Sequence, residues 1–178
     1  MTDCVFRNNR ARGALLKQSN VLCARNVFDG CTMSAAKTET DGCFWQEGHP
    51  VSNWSFVDNE VREVNFWGGL ADIVIDNAVP TFANGVPTTT CVPYAQAAPG
   101  AAAQRGLNIS GNTITQLSGE SAIAAYSAEG VEIRGNVITR EAGAKTPAYD
   151  VQGFGVIGAT VQGNVCDGRA CVIAGMGA

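Results

Sequence analysis

Apolar positions along the chain recur in one template rather than in a helical or simply alternating pattern. The segments VLCARNVF (Val21 to Phe28), WSFVDNEV (Trp54 to Val61), LNISGNTI (Leu107 to Ile114), VEIRGNVI (Val131 to Ile138) and ATVQGNVC (Ala159 to Cys166) all read apolar, any, apolar, any, any, Asn, any, apolar. The first two apolar residues lie two apart and face one side of a strand. Beyond the Asn the apolar parity shifts by one, which requires a bend. Asn tolerates left-handed backbone and can bond through its amide to the next copy. Asn26, Asn59, Asn112, Asn136 and Asn164 are therefore expected to stack as a ladder at a strand-to-strand turn. CVFRNN at the start reads as a sixth copy with Cys4 in the Asn position.

Self-similarity at such periods decides an architecture. The expectation is an all-β fold, a right-handed parallel β-helix of about six coils. Short apolar runs at Gly13 to Leu16, Cys31 to Ala36, Leu70 to Ile75, Ser121 to Tyr126 and Ala170 to Ala174 supply the other strands. The run DIVIDN (Asp72 to Asn77) fits better as one of these than as another Asn copy. A bare coil needs residues in the low twenties, so the first two complete coils carry loops of about ten and thirty extra residues. These fall at 37–50 and 78–105, the second rich in Pro, Thr, Gly and Ala. Residues 1–178 form one domain in this reading. The chain opens in a strand and closes on VIAGMGA without a covering helix or polar repeat, which fits a fragment of a longer stack.

Composition narrows the partners. With 46% apolar and 16% charged residues the chain can bury a core, and 21 glycines suit tight turns between short strands. A net charge of −4 and a pI near 4.9 give no footprint for nucleic acid or an anionic membrane. No apolar run approaches the roughly 18 residues of a membrane span, and the N-terminus lacks the basic-then-apolar order of a signal peptide. Neutral partners fit better. The seven cysteines include no C-x-x-C pair, so most read as small buried hydrophobes. Cys43 and Cys91 are the one pair whose loop-like settings suggest a bridge.

Chemistry concentrates in KTETDGCFWQEGHP (Lys37 to Pro50), which carries Glu39, Asp41, Trp45, Glu47 and His49. If Glu39 and Asp41 continue the preceding strand, they share a face with Cα atoms about 6.8 Å apart. Inverting glycosidases hold their two carboxyl groups roughly 6.5–9.5 Å apart to admit a water, and retaining ones about 5–5.5 Å. Glu47 can join only if the chain turns back, which Gly42 and Gly48 allow. Asp72 and Asp76 share a face by period two and are placed one coil beyond, where a cluster of acids would raise the pKa of one member. Arg10 and Arg12 are placed one coil below; they either hold substrate hydroxyls or pair with carboxylates. Against this stands the reading of solvated loop acids. Trp45 is a sugar platform or a loop anchor, Trp54 belongs to the core, and Trp67 is undecided. His49 is the one histidine and supports no Ser-His-Asp triad.

FRNNRARGALL (Phe6 to Leu16) and TDGCFWQEGHPVSNWSFVDN (Thr40 to Asn59) together resemble the motif pair of glycoside hydrolase family 110, exo-α-1,3-galactosidases on a pectin-lyase-like β-helix. The resemblance covers about residues 4 to 80. Asp41, Trp45 and Glu47 match the motif Asp, Trp and Glu, and Arg10 and Arg12 its paired arginines; Thr40 stands where the family tends to have Gly, and Cys43 where a polar residue is more usual. The resemblance implies metal-independent, cofactor-free, inverting removal of a terminal α-linked galactose from a glycan. The partner of Asp41 stays open among Glu39, Glu47, Asp72 and Asp76. Two other classes compete: a polysaccharide lyase, which wants a basic calcium-binding groove although lysines are few (Lys17, Lys37, Lys145), and a non-catalytic carbohydrate-binding or structural module.

Overall fold

The computed structural model describes residues 1–41, 48–84, 86–93 and 102–177. All regular structure among them is β. A first circuit of the chain comprises β1 (Val5–Arg7), β2 (Ala14–Leu15) and β3 (Val21–Ala24); a second, β4 (Val27–Asp29), β5 (Ala36–Asp41) and β6 (Ser52–Val57). The third holds β7 (Glu60–Arg62), β8 (Ala71–Ala83), the extra strand β9 (Val86–Pro93) and β10 (Gln104–Ser110). The fourth is β11 (Thr113–Gln116), β12 (Ser121–Tyr126) and β13 (Ala128–Arg134), and the fifth β14 (Val137–Arg140), β15 (Val151–Phe154) and β16 (Thr160–Gln162). The sixth is β17 (Val165–Cys166), β18 (Arg169–Ala170) and β19 (Ile173–Ala174).

Successive circuits pair in parallel and build three sheets: β1-β4-β7-β11-β14-β17-β18, β2-β5-β8-β12-β15-β19, and β3-β6-β10-β13-β16. We call these the first, second and third sheets. Among the described residues two pairs are antiparallel, β8 with β9 and β17 with β18.

The template explains the stacking. Its first two apolar positions form inward columns in the third sheet, Val21, Trp54, Leu107 and Val131 beside Cys23, Phe56, Ile109 and Ile133. Its last apolar position forms the column Phe6, Phe28, Val61, Ile114, Ile138 and Cys166 in the first sheet. Aromatic rings continue the contact, Phe6 on Phe28 at 4.8 Å and Trp54 beside Phe56 at 5.9 Å between centroids. Trp54 is core, as its template position requires. Each fully buried large side chain contributes about 1.5–3 kcal/mol.

The asparagines form the expected ladder. The Asn26 amide N–H and Nδ2 both donate to Asn59 Oδ1 at 2.9 Å, and Asn59 repeats this toward Asn112 Oδ1 at 2.9 and 3.0 Å. Asn112 bonds Asn136 and Asn136 bonds Asn164 in the same way. Cys4 does occupy the Asn position of the first copy, its N–H donating to Asn26 Oδ1 at 3.0 Å. The chain between rungs runs 22, 33, 53, 24 and 28 residues.

The left-handed residue, however, is not the Asn. It is the residue before it, Asp3, Arg25, Asp58, Gly111, Gly135 and Gly163, with φ between 53° and 68°. The twist there turns the following Asn inward, where its amide reaches the next rung; the same turn on the Asn itself would cost the ladder its alignment.

Other expectations need correction. The loop at 37–50 is strand as far as Asp41, because Ala36–Asp41 pairs with β8 from Ile73 to Ala78. Polar residues on both faces concealed it: Thr38 is buried inside while Lys37 and Glu39 lie on the opposite parity. The loop at 78–105 begins as an antiparallel hairpin of β8 and β9, with Asn84 between them at φ 51°. The Asn-Gly of the sequence at this point is a strong hairpin signal, and prolines 80, 87 and 93 obscured it although an edge pair accommodates them. Cys166 and Cys171 form a disulfide that the sequence did not suggest. Cys91 is also disulfide-bonded; its expected partner, Cys43, lies outside the described residues. Cys23 and Cys31 are buried and free, and burial pushes the Cys23 thiol up to about 11.

Candidate active site on the second sheet

Strand β5 alternates Thr38 and Thr40 with Lys37, Glu39 and Asp41. Glu39 and Asp41 therefore share one parity, as the sequence implied. Parallel pairing sets Glu39 beside Asp76 of β8 and Lys37 beside Val74. Lys37 Nζ lies 2.8 Å from Glu39 Oε1 and 2.9 Å from Asp76 Oδ2, so one ammonium compensates two carboxylates. Oxygens that both sit within 3 Å of one nitrogen are closer than the roughly 6.5–9.5 Å of an inverting pair. Glu39 with Asp76 is thus an ion-paired unit, whereas Glu39 with Asp41 keeps the two-residue step.

This unit borders a cavity of about 100 Å³ whose lining includes Arg12, Lys37, Asp76, Trp67, Leu70 and Val74. Arg12 is half-buried, and its Nε is buried without a hydrogen-bond partner. Arg10 is exposed and does not line the cavity. Trp67 stands 80% exposed at the rim, with Phe66 beside it 49% exposed. A large exposed indole next to a guanidinium and a carboxylate is the kind of surface that stacks on a sugar face while bonding its hydroxyls.

Asp72 does not share this surface. It is fully buried, neither carboxylate oxygen has a hydrogen-bond partner, and burial raises its pKa well above the usual carboxylate range, with Asn65 the nearby amide opposing the shift. The raised acid is thus Asp72, apart from the cluster, and the cause is desolvation rather than the repulsion between neighbouring acids that the sequence suggested. Asp41 is also buried. Trp45 and Glu47 lie outside the described residues. His49 is exposed.

Sequence reasoning missed two supports. Gln104 is fully buried; its Oε1 accepts from the Val51 amide at 2.7 Å and its Nε2 donates to Thr40 Oγ1 at 3.1 Å. It thereby ties both flanks of the segment that carries Asp41. A glutamine in an otherwise polar QRG run gave no periodic signal. Tyr126 is half-buried, and burial, followed by the charges of Glu120 and Asp76, raises its phenol pKa.

One further grouping is structural. Asp150 lies near the sulfurs of Cys166 and Cys171, but these are joined, and its carboxylate is taken by Arg140, by Arg169 at 2.9 Å and by the Val172 amide at 2.6 Å. Neither a protein-family model nor a curated protein sequence matches the chain.

Proposed function

We propose that the three parallel sheets are a right-handed β-helix of the pectin-lyase-like kind, and that the protein is a glycoside hydrolase removing a terminal α-linked galactose with inversion. Handedness follows from the strong preference of parallel crossovers for the right-handed sense. The observation that carries the activity is the shared parity of Glu39 and Asp41 on β5, beside the Lys37–Asp76 ion pair and the Arg12 and Trp67 cavity.

Asp41 and Glu39 are the carboxyl pair in this reading, one protonating the glycosidic oxygen while the other activates water. Lys37 and Asp76 hold Glu39 in place. Arg12 donates to sugar hydroxyls and Trp67 stacks on the ring. Lys37 is held by two carboxylates, which disfavours it as the free base of a lyase. The test is release of galactose from an α-1,3-linked galactoside, followed by NMR of the first-formed anomer. Wild type should release β-galactose, and Asp41→Asn and Glu39→Gln should each lower the rate by about 10²–10⁴-fold. No release by wild type sinks the reading; release of α-galactose refutes inversion.

A further inference from the structure

The second sheet carries a second cavity, of about 520 Å³, two circuits beyond the first and lined by Gly119, Glu120, Lys145, Pro147, Tyr149 and Gln152 among others. Its size lies within the usual range of roughly 300–1,000 Å³ for small-molecule sites, which the 100 Å³ space at Lys37 does not reach. The register connects the two. Lys37 pairs with Val74, Val74 with Ala124, and Ala124 with Gln152, one unbroken column across four strands. Three strand spacings of about 4.8 Å separate its ends by about 14 Å. Val74 and Ala124 are small, apolar and buried beneath Leu70 and Tyr126, which form the low surface over the column between the two cavities. Tyr126 lies along the same stretch, with Asp76 of the first cavity and Glu120 of the second as its charged neighbours.

We infer that the surface over this column, capped by Leu70 and Tyr126, is the floor of one groove, and that the second cavity binds the inner sugars of a neutral oligosaccharide whose terminal galactose occupies the Arg12 and Trp67 end; the terminal assignment rests on the glycosidase reading. Three observations specify the ligand. Tyr149 is 42% exposed and offers an aromatic face. Gln152 Nε2 is buried without a hydrogen-bond partner, a donor set for a hydroxyl or ring oxygen. Glu120 and Lys145 contribute opposite charges to the same lining, so the cavity selects neither a polyanion nor a polycation. A neutral chain of several sugars satisfies all three, and one sugar cannot span the groove.

Titration calorimetry on the full chain carrying Asp41→Asn, which slows turnover, compares a galactosyl disaccharide with a neutral tetrasaccharide ending in the same α-1,3-linked galactose. The tetrasaccharide should bind more tightly. Tyr149→Ala and Gln152→Ala should each weaken it roughly three- to tenfold and leave the disaccharide unchanged, while Tyr149→Phe keeps the tetrasaccharide affinity. Equal affinity for the two ligands, loss of both in the Ala variants without recovery in Tyr149→Phe, or no binding of either overturns the inference. Galactose release by wild type is scored separately. Tyr149-dependent binding without release leaves the groove standing and removes the glycosidase reading. Release from both ligands with equal efficiency, indifferent to Tyr149, does the reverse.

Discussion

Two interior polar regions of the molecule face opposite outcomes. At the bend into the first sheet, Asn59, Asn112 and Asn136 are buried, and each amide oxygen accepts twice from the rung before while each Nδ2 donates to the rung after and to a backbone carbonyl. At the second sheet, Thr38, Asp72 and Asn77 are equally buried, yet Thr38 Oγ1, both Asp72 oxygens and both Asn77 side-chain atoms have no partner. The difference lies in repetition. A polar residue that recurs every circuit finds its complement one strand spacing away, whereas one that occurs once must be satisfied by something unlike itself. Polar residues without a repeat are concentrated beside the Lys37, Glu39 and Asp76 unit, so the irregular sheet is the one that carries the candidate chemistry.

The sharpest way to break this contrast is to remove one rung. Asn112→Ala leaves two Asn59 donors, the Asn136 oxygen and the Phe56 carbonyl short of partners, and should lower stability by about 3–5 kcal/mol, measured by urea unfolding. A loss below about 1 kcal/mol means the ladder is decorative.

The unpaired region should respond in the opposite direction. Asp72 has a folded-state pKa raised above its unfolded value, so the folded chain holds a proton that the unfolded chain releases. Stability then falls as pH rises from the ordinary carboxylate pKa up to the raised one, and stays low beyond it. Asp72→Asn has no such proton to lose. Its advantage over wild type should grow with pH across that window, read as the difference in melting temperature; a difference that is flat with pH would contradict the burial argument.

The smallest effect concerns the left-handed corner. Gly135 has φ 61°, and a methyl group added at its Cα would meet only open space, so Gly135→Ala tests backbone strain alone. It should cost about 1 kcal/mol by thermal unfolding.

How far the sequence can be read follows the same division. The five Asn templates name the ladder, its inward columns and even Cys4 as a stand-in rung, because each claim can be checked against another copy. The left-handed position lies one residue before the place the template suggests, since Arg25 and Asp58 disguise a site that is glycine in three later copies. Glu39, Asp41, Asp76 and Arg12 are legible as candidates from strand parity. Their electrostatic centre, Lys37, is legible only as a residue near acids, because nothing local says that Asp76, 39 residues later on another strand, supplies its second carboxylate. Asp72 defeats period-two counting: Ala71 and Val74 both line the first cavity, so the alternation breaks between them and the carboxylate is buried. Gln104 offers no pattern at all.

The ladder measures nothing but the distance between neighbouring rungs, and the chain between rungs ranges from 22 to 53 residues without a change in how they bond. One corner of each circuit is thus a fixed spine, and the opposite side is a place where sequence length is free to vary. The second and third circuits carry their extra residues after the second-sheet strand, and the rungs on either side keep the same bonds. The architecture separates inheritance of the scaffold from invention at its edge.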